Sequence, residues 1–177
     1  DLATSVMLVC MADVVVQVLD EDDWHDYRRL RLKSLEKDPE AFASDLADEQ
    51  DYDESVWRAR MRRSRRILAL LDDREVGIAS VGEARDEDGV MEGMAELFGM
   101  WVAPDSRGTS VAWQLVTAAA EAARREGKRQ LRLWVGTDNG RAVGFYSSYG
   151  FRPADERRPM GGPDPTAEEI AMTLPLA

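Results

Sequence analysis

Between residues 94 and 116 an apolar stretch, "MAELFGMWV", meets Pro104 and the small-residue turn "SRGTS", then passes into an apolar helical pattern. Proline cannot donate to a sheet ladder, so the first stretch reads as a strand that must end there. Residues 111–126 place Val111, Leu115, Ala118, Ala119 and Ala122 on one helical face, and Gly127 stands where a left-handed cap belongs. A strand that hands its chain so abruptly to an amphipathic helix commits the fold to layers, with helices packed on a sheet.

The flanking sequence extends the pattern. "VVVQVL" (14–19) is β-branched and reads as a strand, and the acid-led segment "DEDDWHDYRRLRLKSLEKD" reads as a helix. Residues 36–54 form a polar loop with Pro39, and residues 55–64 form a second helix. "RILALLD" (66–72) and "EVGIASVGEAR" (75–85) make a hairpin over "DDRE", and Asp88-Gly89 signals the next turn before a strand at 94–102. A strand at 130–135, a short helix at 139–150 closed by Gly150, a strand from Phe151 and a last strand at 168–176 complete the order β-α-α-β-β-β-α-β-α-β-β. That order predicts one α/β (α+β) domain over residues 13–177, a three-layer α/β/α fold with a mixed sheet. Residues 1–12 read as a loosely ordered extension with no signal-peptide pattern.

Charge narrows the partners. Lys and Arg number 23 against 34 Asp and Glu, a formal net charge of −11. That excludes wrapping nucleic acid and docking on an anionic membrane, and it suits a cationic partner. No run of about 18 apolar residues offers a membrane span. The one cysteine, Cys10, permits no internal disulfide and fits a reducing cytoplasm. The one histidine, His25, is distant in sequence from that cysteine, so no metal site is expected. The basic run "RARMRRSRR" (58–66) reads as a solvated helix face, with contact to a phosphate or an acidic partner as the functional alternative.

The strand–helix junction carries chemistry of its own. A helix N-terminus presents unpaired amides and a partial positive charge, and a small-residue turn lets backbone approach a phosphate. Arg107 adds a cation, Gly108 adds flexible backbone, and Thr109, Ser110 and Ala112 keep the mouth clear. Neither G-x-x-x-x-G-K-[ST] nor a G-x-G-x-x-G opening the first βα unit is present, which argues against the P-loop and Rossmann classes.

"VAPDSRGTSVAWQLV" resembles the acyl-CoA signature of the Gcn5-related N-acetyltransferases, R/Q-x-x-G-x-G/A after a strand and opening a helix. Arg107 matches its first position and Ala112 its last, while Ser110 stands where the family usually has glycine. "LWVGTDNGRAVGFYSSYGFRP" is similar to the family's second segment through Asn139, Ala142, Phe145, Tyr146, Gly150 and Phe151. The resemblance spans residues 14–176 and implies splayed strands at 94–102 and 130–135, with acetyl-CoA between them and no metal. It implies that Met100, Trp101 and Val102 line the pantetheine arm, and that the amides of residues 107–112, Val111 included, cradle the pyrophosphate. Asn139, Ala142 and Tyr146 complete that cofactor set.

The implied reaction is acyl transfer from a thioester to an amine. The resemblance makes Tyr146 the candidate general acid and Glu96, or a water relay, the base. Glu92, just before that strand, and Phe42, in the acidic loop 36–54, are the candidate acceptor-binding residues. The acceptor expected from the acidic loop is a cationic primary amine on a small molecule, a peptide N-terminus or a lysine. A non-catalytic acyl-CoA-binding module is the alternative, as is a generic α/β binding domain; monomer and homodimer both stay open.

Overall fold

The computed structural model describes residues 13–176; the extension expected at 1–12, with Cys10 in it, lies outside the described residues. The elements run β1 (Val14–Leu19), α1 (Trp24–Lys37), α2 (Leu46–Gln50), α3 (Glu54–Arg63), β2 (Arg65–Leu71), β3 (Arg74–Asp86), β4 (Gly89–Val102), α4 (Val111–Arg125), β5 (Gln130–Gly136), α5 (Gly140–Tyr149), β6 (Arg152–Pro159) and β7 (Glu168–Pro175). This is the expected order with one addition, α2, inside the stretch read as a polar loop. Asp45 caps it, accepting the Ala47 amide at 2.8 Å.

The strands form one seven-stranded sheet in the order β1-β2-β3-β4-β5-β7-β6. Every neighbouring pair is antiparallel except β4 with β5. The expected mixed, mostly antiparallel single-domain α/β fold is therefore present. Asp72 and Asp73, with φ of 50° and 61°, turn β2 into β3 as the left-handed pair a tight hairpin requires. The next turn differs from expectation. Asp86 pairs with Gly89, so Glu87 and Asp88 form the turn and β4 starts at Gly89 rather than 94.

Helix α4 packs on one face of the sheet. Its buried residues are Val111, Leu115, Val116, Ala119, Ala120 and Ala123, whereas Ala118 and Ala122, expected inside, are only half-buried. The apolar stripe is rotated because Val116 and Ala123 also face the sheet. Gly77 on β3 permits the close approach; a Cβ there would stand 3.0 Å from Leu115 Cδ1 and 3.1 Å from the Trp101 carbonyl. At the far end Gly127 (φ 76°) donates to Arg124 O at 2.9 Å and Lys128 to Ala123 O at 3.0 Å, a Schellman cap. Helices α1 and α3 cover the opposite face, with Leu30 and Trp57 fully buried.

Strand β4 contains the irregularity that matters most. Its pairing passes from Ile78–Trp101 to Ser80–Phe98, so two steps on β3 match three on β4. The extra residue is a β-bulge, and Gly99, with φ of 59°, takes up the left-handed backbone. Alternation is thereby reset. Phe98 and Trp101 both turn toward α1, where Trp101 Nε1 donates to Asp38 Oδ2 at 2.6 Å and the Phe98 ring lies 5.4 Å from Arg66 Cζ. Met100 turns the other way, its sulfur 3.6 Å from the Tyr146 hydroxyl on α5.

Candidate functional site

Strands β4 and β5 pair only at Met94–Gln130, Ala95–Leu131 and Glu96–Arg132. Both continue beyond that point, to Val102 and Gly136, without further pairing. The expected splay is thus in the structure. A cleft of about 410 Å³ opens past it. Met100, Val102, Arg107, Gly108, Thr109, Ala112, Asn139, Ala142 and Tyr146, all expected here, line it; Ser106, Arg141 and Phe145 line it as well.

The turn entering α4 is built to leave amides free. Thr109 Oγ1 donates to Ser106 O at 2.5 Å and accepts the Val111 amide at a long 3.4 Å. The first backbone bond of the helix runs from Gln114 N–H to Ser110 O at 3.0 Å. Amides ahead of it have no helical partner and carry the positive end of the helix dipole. Gly108 has φ of 77°, and a Cβ there would meet nothing within 4 Å, so the cleft is open at the point where a phosphate would lie. Ser110 has φ −77° and ψ 1°, a conformation any residue adopts, so serine in place of glycine costs the turn nothing. These residues fit a bound acyl-CoA.

Three residues expected to hold the cofactor do not line the cleft. Trp101 is 3% exposed and packs toward α1; Val111 is fully buried against β3. Ser110 is the exposed N-cap, able to contribute its amide but not a wall. Glu92, expected on the acceptor side, lies at the opposite end of β4, beside Arg129 and Gly93, and is not brought to the cleft.

Helix α5 supplies the other wall. The Asn139 side chain accepts the Ala142 amide at 3.1 Å and so starts the helix that carries Tyr146. Trp113 of α4 meets Tyr149 in a tilted contact at 4.5 Å and Phe145 edge-on at 6.4 Å, fixing α4 against α5. Burial pushes the Tyr146 hydroxyl up to about 12. It therefore stays protonated at neutral pH.

Arg107 is not loose. Its Nη2 donates to Asp38 Oδ2 at 2.8 Å and its Nε to Val102 O at 3.1 Å. Asp38 escaped sequence reading because nothing local marks it; it acts only because α1 ends beside the junction. Glu96, the candidate base, is engaged too. Its Oε2 accepts Nη2 of Arg132 at 2.7 Å and Nε at 3.1 Å, and Arg132 is 1% exposed.

A second cavity, of about 270 Å³, lies on the α1 face of the same strand. Phe98 and Gly99 border it, and Phe42 stacks 4.6 Å from Arg31 Cζ in its wall. The basic run is not one solvated face. Arg58 and Arg62 pair on the surface with Asp22 and Glu21, Arg65 pairs with Glu126, and Arg60 reaches the buried Glu49. Burial pushes the Glu49 carboxyl up, but hydrogen bonds from Arg31 and Arg60 outweigh it and hold it down at about 2.

Comparison with known proteins places this architecture. The profile of the Acetyltransferase (GNAT) family matches residues 21–151. An uncharacterized N-acetyltransferase of Archaeoglobus fulgidus is 26% identical over 143 residues, 81% of this chain and 92% of that protein. One of Methanocaldococcus jannaschii is 40% identical over 58 residues, 33% of this chain, so that match spans only 26% of the relative. A GNAT-family acetyltransferase structure from Streptococcus pneumoniae covers 93% of this chain and 100% of its own at TM-score 0.72 and 19% identity. A Salmonella typhimurium structure holding acetyl-CoA as cofactor covers 93% of this chain and 94% of its own at TM-score 0.68 and 18% identity. No helix among the described residues is long and apolar enough to cross a membrane. With the splayed strands, the open turn and a family match across most of its length, the chain belongs to the acetyltransferase (GNAT) family.

Proposed function

We propose that this acyl-CoA-dependent N-acyltransferase moves an acetyl group from acetyl-CoA to a primary amine on a small molecule, a peptide N-terminus or a lysine. The observation that carries the reading is the parting of β4 from β5 after Glu96 and Arg132, in one cleft with the free amides that open α4. When bound, acetyl-CoA supplies an acetyl thioester whose sulfur leaves as the new C–N bond forms. The strand edge of residues 97–102, released from β5, offers main-chain groups to the pantetheine arm. Arg107, Arg141 and the α4 N-terminus concentrate positive potential in a protein whose net charge is −11.

Tyr146 Oη sits in the cleft wall 3.6 Å from Met100 Sδ and donates its proton to the departing sulfur. The attacking nitrogen must be neutral, so its ammonium first gives one proton to water or to Glu96. A second leaves nitrogen as the amide forms, and solvent reprotonates Tyr146. Glu96 Oε2 is committed to Arg132, so Glu96 acts through its other oxygen and a water.

A DTNB thiol-release screen with acetyl-CoA against amino acids, polyamines, aminoglycosides and short peptides tests the reading. Amine-dependent thiol release supports it. Tight CoA binding by calorimetry with no release for any amine favours the non-catalytic module instead.

A further inference from the structure

The cavity on the α1 face of β4 has an unexpected charge. Although the chain carries an excess of acid, Arg31, Arg60, Arg63 and Arg66 line this cavity and no acidic residue does. Glu49, buried behind the wall, takes bidentate bonds from Arg31 at 2.9 and 3.0 Å and a third from Arg60 at 2.9 Å, so it offsets one of the four charges. Arg66 is the critical member. It is 2% exposed and has no carboxylate partner among the described residues. Its Nε and Nη2 donate to Arg60 O at 3.3 and 3.0 Å, its Nη1 donates to Ser80 Oγ at 2.7 Å, and its Cζ lies 4.7 Å from the Tyr27 ring. Neutral acceptors and an aromatic face position the guanidinium without neutralising it. A buried cation without a counter-charge is costly, and an anion arriving from outside would relieve that cost. Burial lowers the Arg66 guanidinium from its ordinary value, in the direction a missing counter-charge predicts.

We propose that this cavity is the acceptor pocket and takes a small amine that carries a carboxylate, the carboxylate lying against Arg66 with Arg63 at the mouth. The proposal rests on the acetyl-transfer reading and reverses the charge expected from the acidic loop. Arginine's planar fork suits a carboxylate, and the cavity's volume of about 270 Å³, just under the usual range for small-molecule sites, suits a small acceptor. Phe98 and Gly99 border it while Met100 borders the cofactor cleft, so amine and thioester meet across the bulge.

The test compares α-amino acids with their carboxamides on the wild-type protein, by calorimetry with CoA present and by thiol release with acetyl-CoA. The carboxylate form is expected to bind and react at least tenfold better. That preference should shrink in Arg63→Gln and vanish in Arg66→Gln, while affinity for CoA is unchanged in both. Carboxamides or polyamines bound as well as amino acids by the wild-type protein would overturn the pocket assignment. Calorimetry decides this even where no thiol is released, whereas loss of CoA binding itself would strike the acetyl-transfer reading alone.

Discussion

The carboxylate of Asp38, the residue that ends α1, holds the guanidinium of Arg107 at 2.8 Å. The same oxygen accepts Trp101 Nε1 at 2.6 Å, so one atom ties α1, β4 and the turn into α4 together. Arg107 is consequently shared between a protein carboxylate and any phosphate that enters the cleft.

Opposite effects of two substitutions follow. Arg107→Ala should weaken CoA binding by about 10- to 100-fold, the worth of one charged hydrogen bond. Asp38→Asn should tighten it by up to about tenfold, because asparagine still accepts from Trp101 but no longer competes by charge. Calorimetric titration with CoA measures both; equal weakening by the two variants would show that Asp38 positions Arg107 rather than competing for it.

Tyr146→Phe should lower kcat by about 10²- to 10⁴-fold with CoA affinity retained. Since the hydroxyl is pushed up to about 12, the group remains protonated through neutral and mildly alkaline pH. No loss of activity below about pH 10 should trace to it, and pH–rate profiles of the two proteins compare this directly.

Glu96→Gln should change the pH limb set by amine deprotonation if Glu96 relays the proton. It also strips the buried Arg132 of its nearest carboxylate, leaving Glu156 at 3.3 Å. Denaturant melts alongside the pH–rate profile separate the two effects: a loss of stability with an unchanged profile assigns Glu96 a structural role.

Glu49 links the arginine-lined cavity to acid stability. Its carboxyl is held at about 2 in the folded protein against a reference of 4.5, so the folded state favours the charged form. That stabilisation is complete above the reference value and is lost as pH falls from 4.5 toward about 2. Glu49→Gln should cost about 3–5 kcal/mol near neutral pH, because Arg31 and Arg60 lose their counter-charge, and should flatten the acid branch of the stability curve.

Gly77→Ala should destabilise by about 1–3 kcal/mol, because Leu115 and the Trp101 carbonyl leave no room for a methyl group. CoA affinity should fall with it, since the displaced helix start is the one that carries the free amides. Urea melts and calorimetry report the two effects separately.

The fold was legible where periodicity and punctuation are local. Pro104, the Asp72-Asp73 pair and Gly127 each set backbone geometry through their own side chains or the lack of one. The cleft was legible for the same reason, since Gly108, Asn139 and Tyr146 belong to two short segments. The arginine-lined cavity was not. Arg60 and Arg66 read as part of a solvated helix face because their partners, Glu49, Ser80 and Phe98, come from remote strands and from a helix hidden in a polar loop. Glu92 lies away from the cleft because a long strand carries it to the far end of the sheet.

The extra residue at Gly99 has a kinetic consequence. By rolling the strand over, it lets two chambers that share no wall residue abut at one seam. On the proposed assignment, donor and acceptor arrive from opposite sides of the sheet, and neither obstructs the other's entrance. Loading in random order through a ternary complex is what such a partition allows: intersecting double-reciprocal lines would report the ternary complex, and calorimetric binding of each substrate to the protein without the other would report the random order.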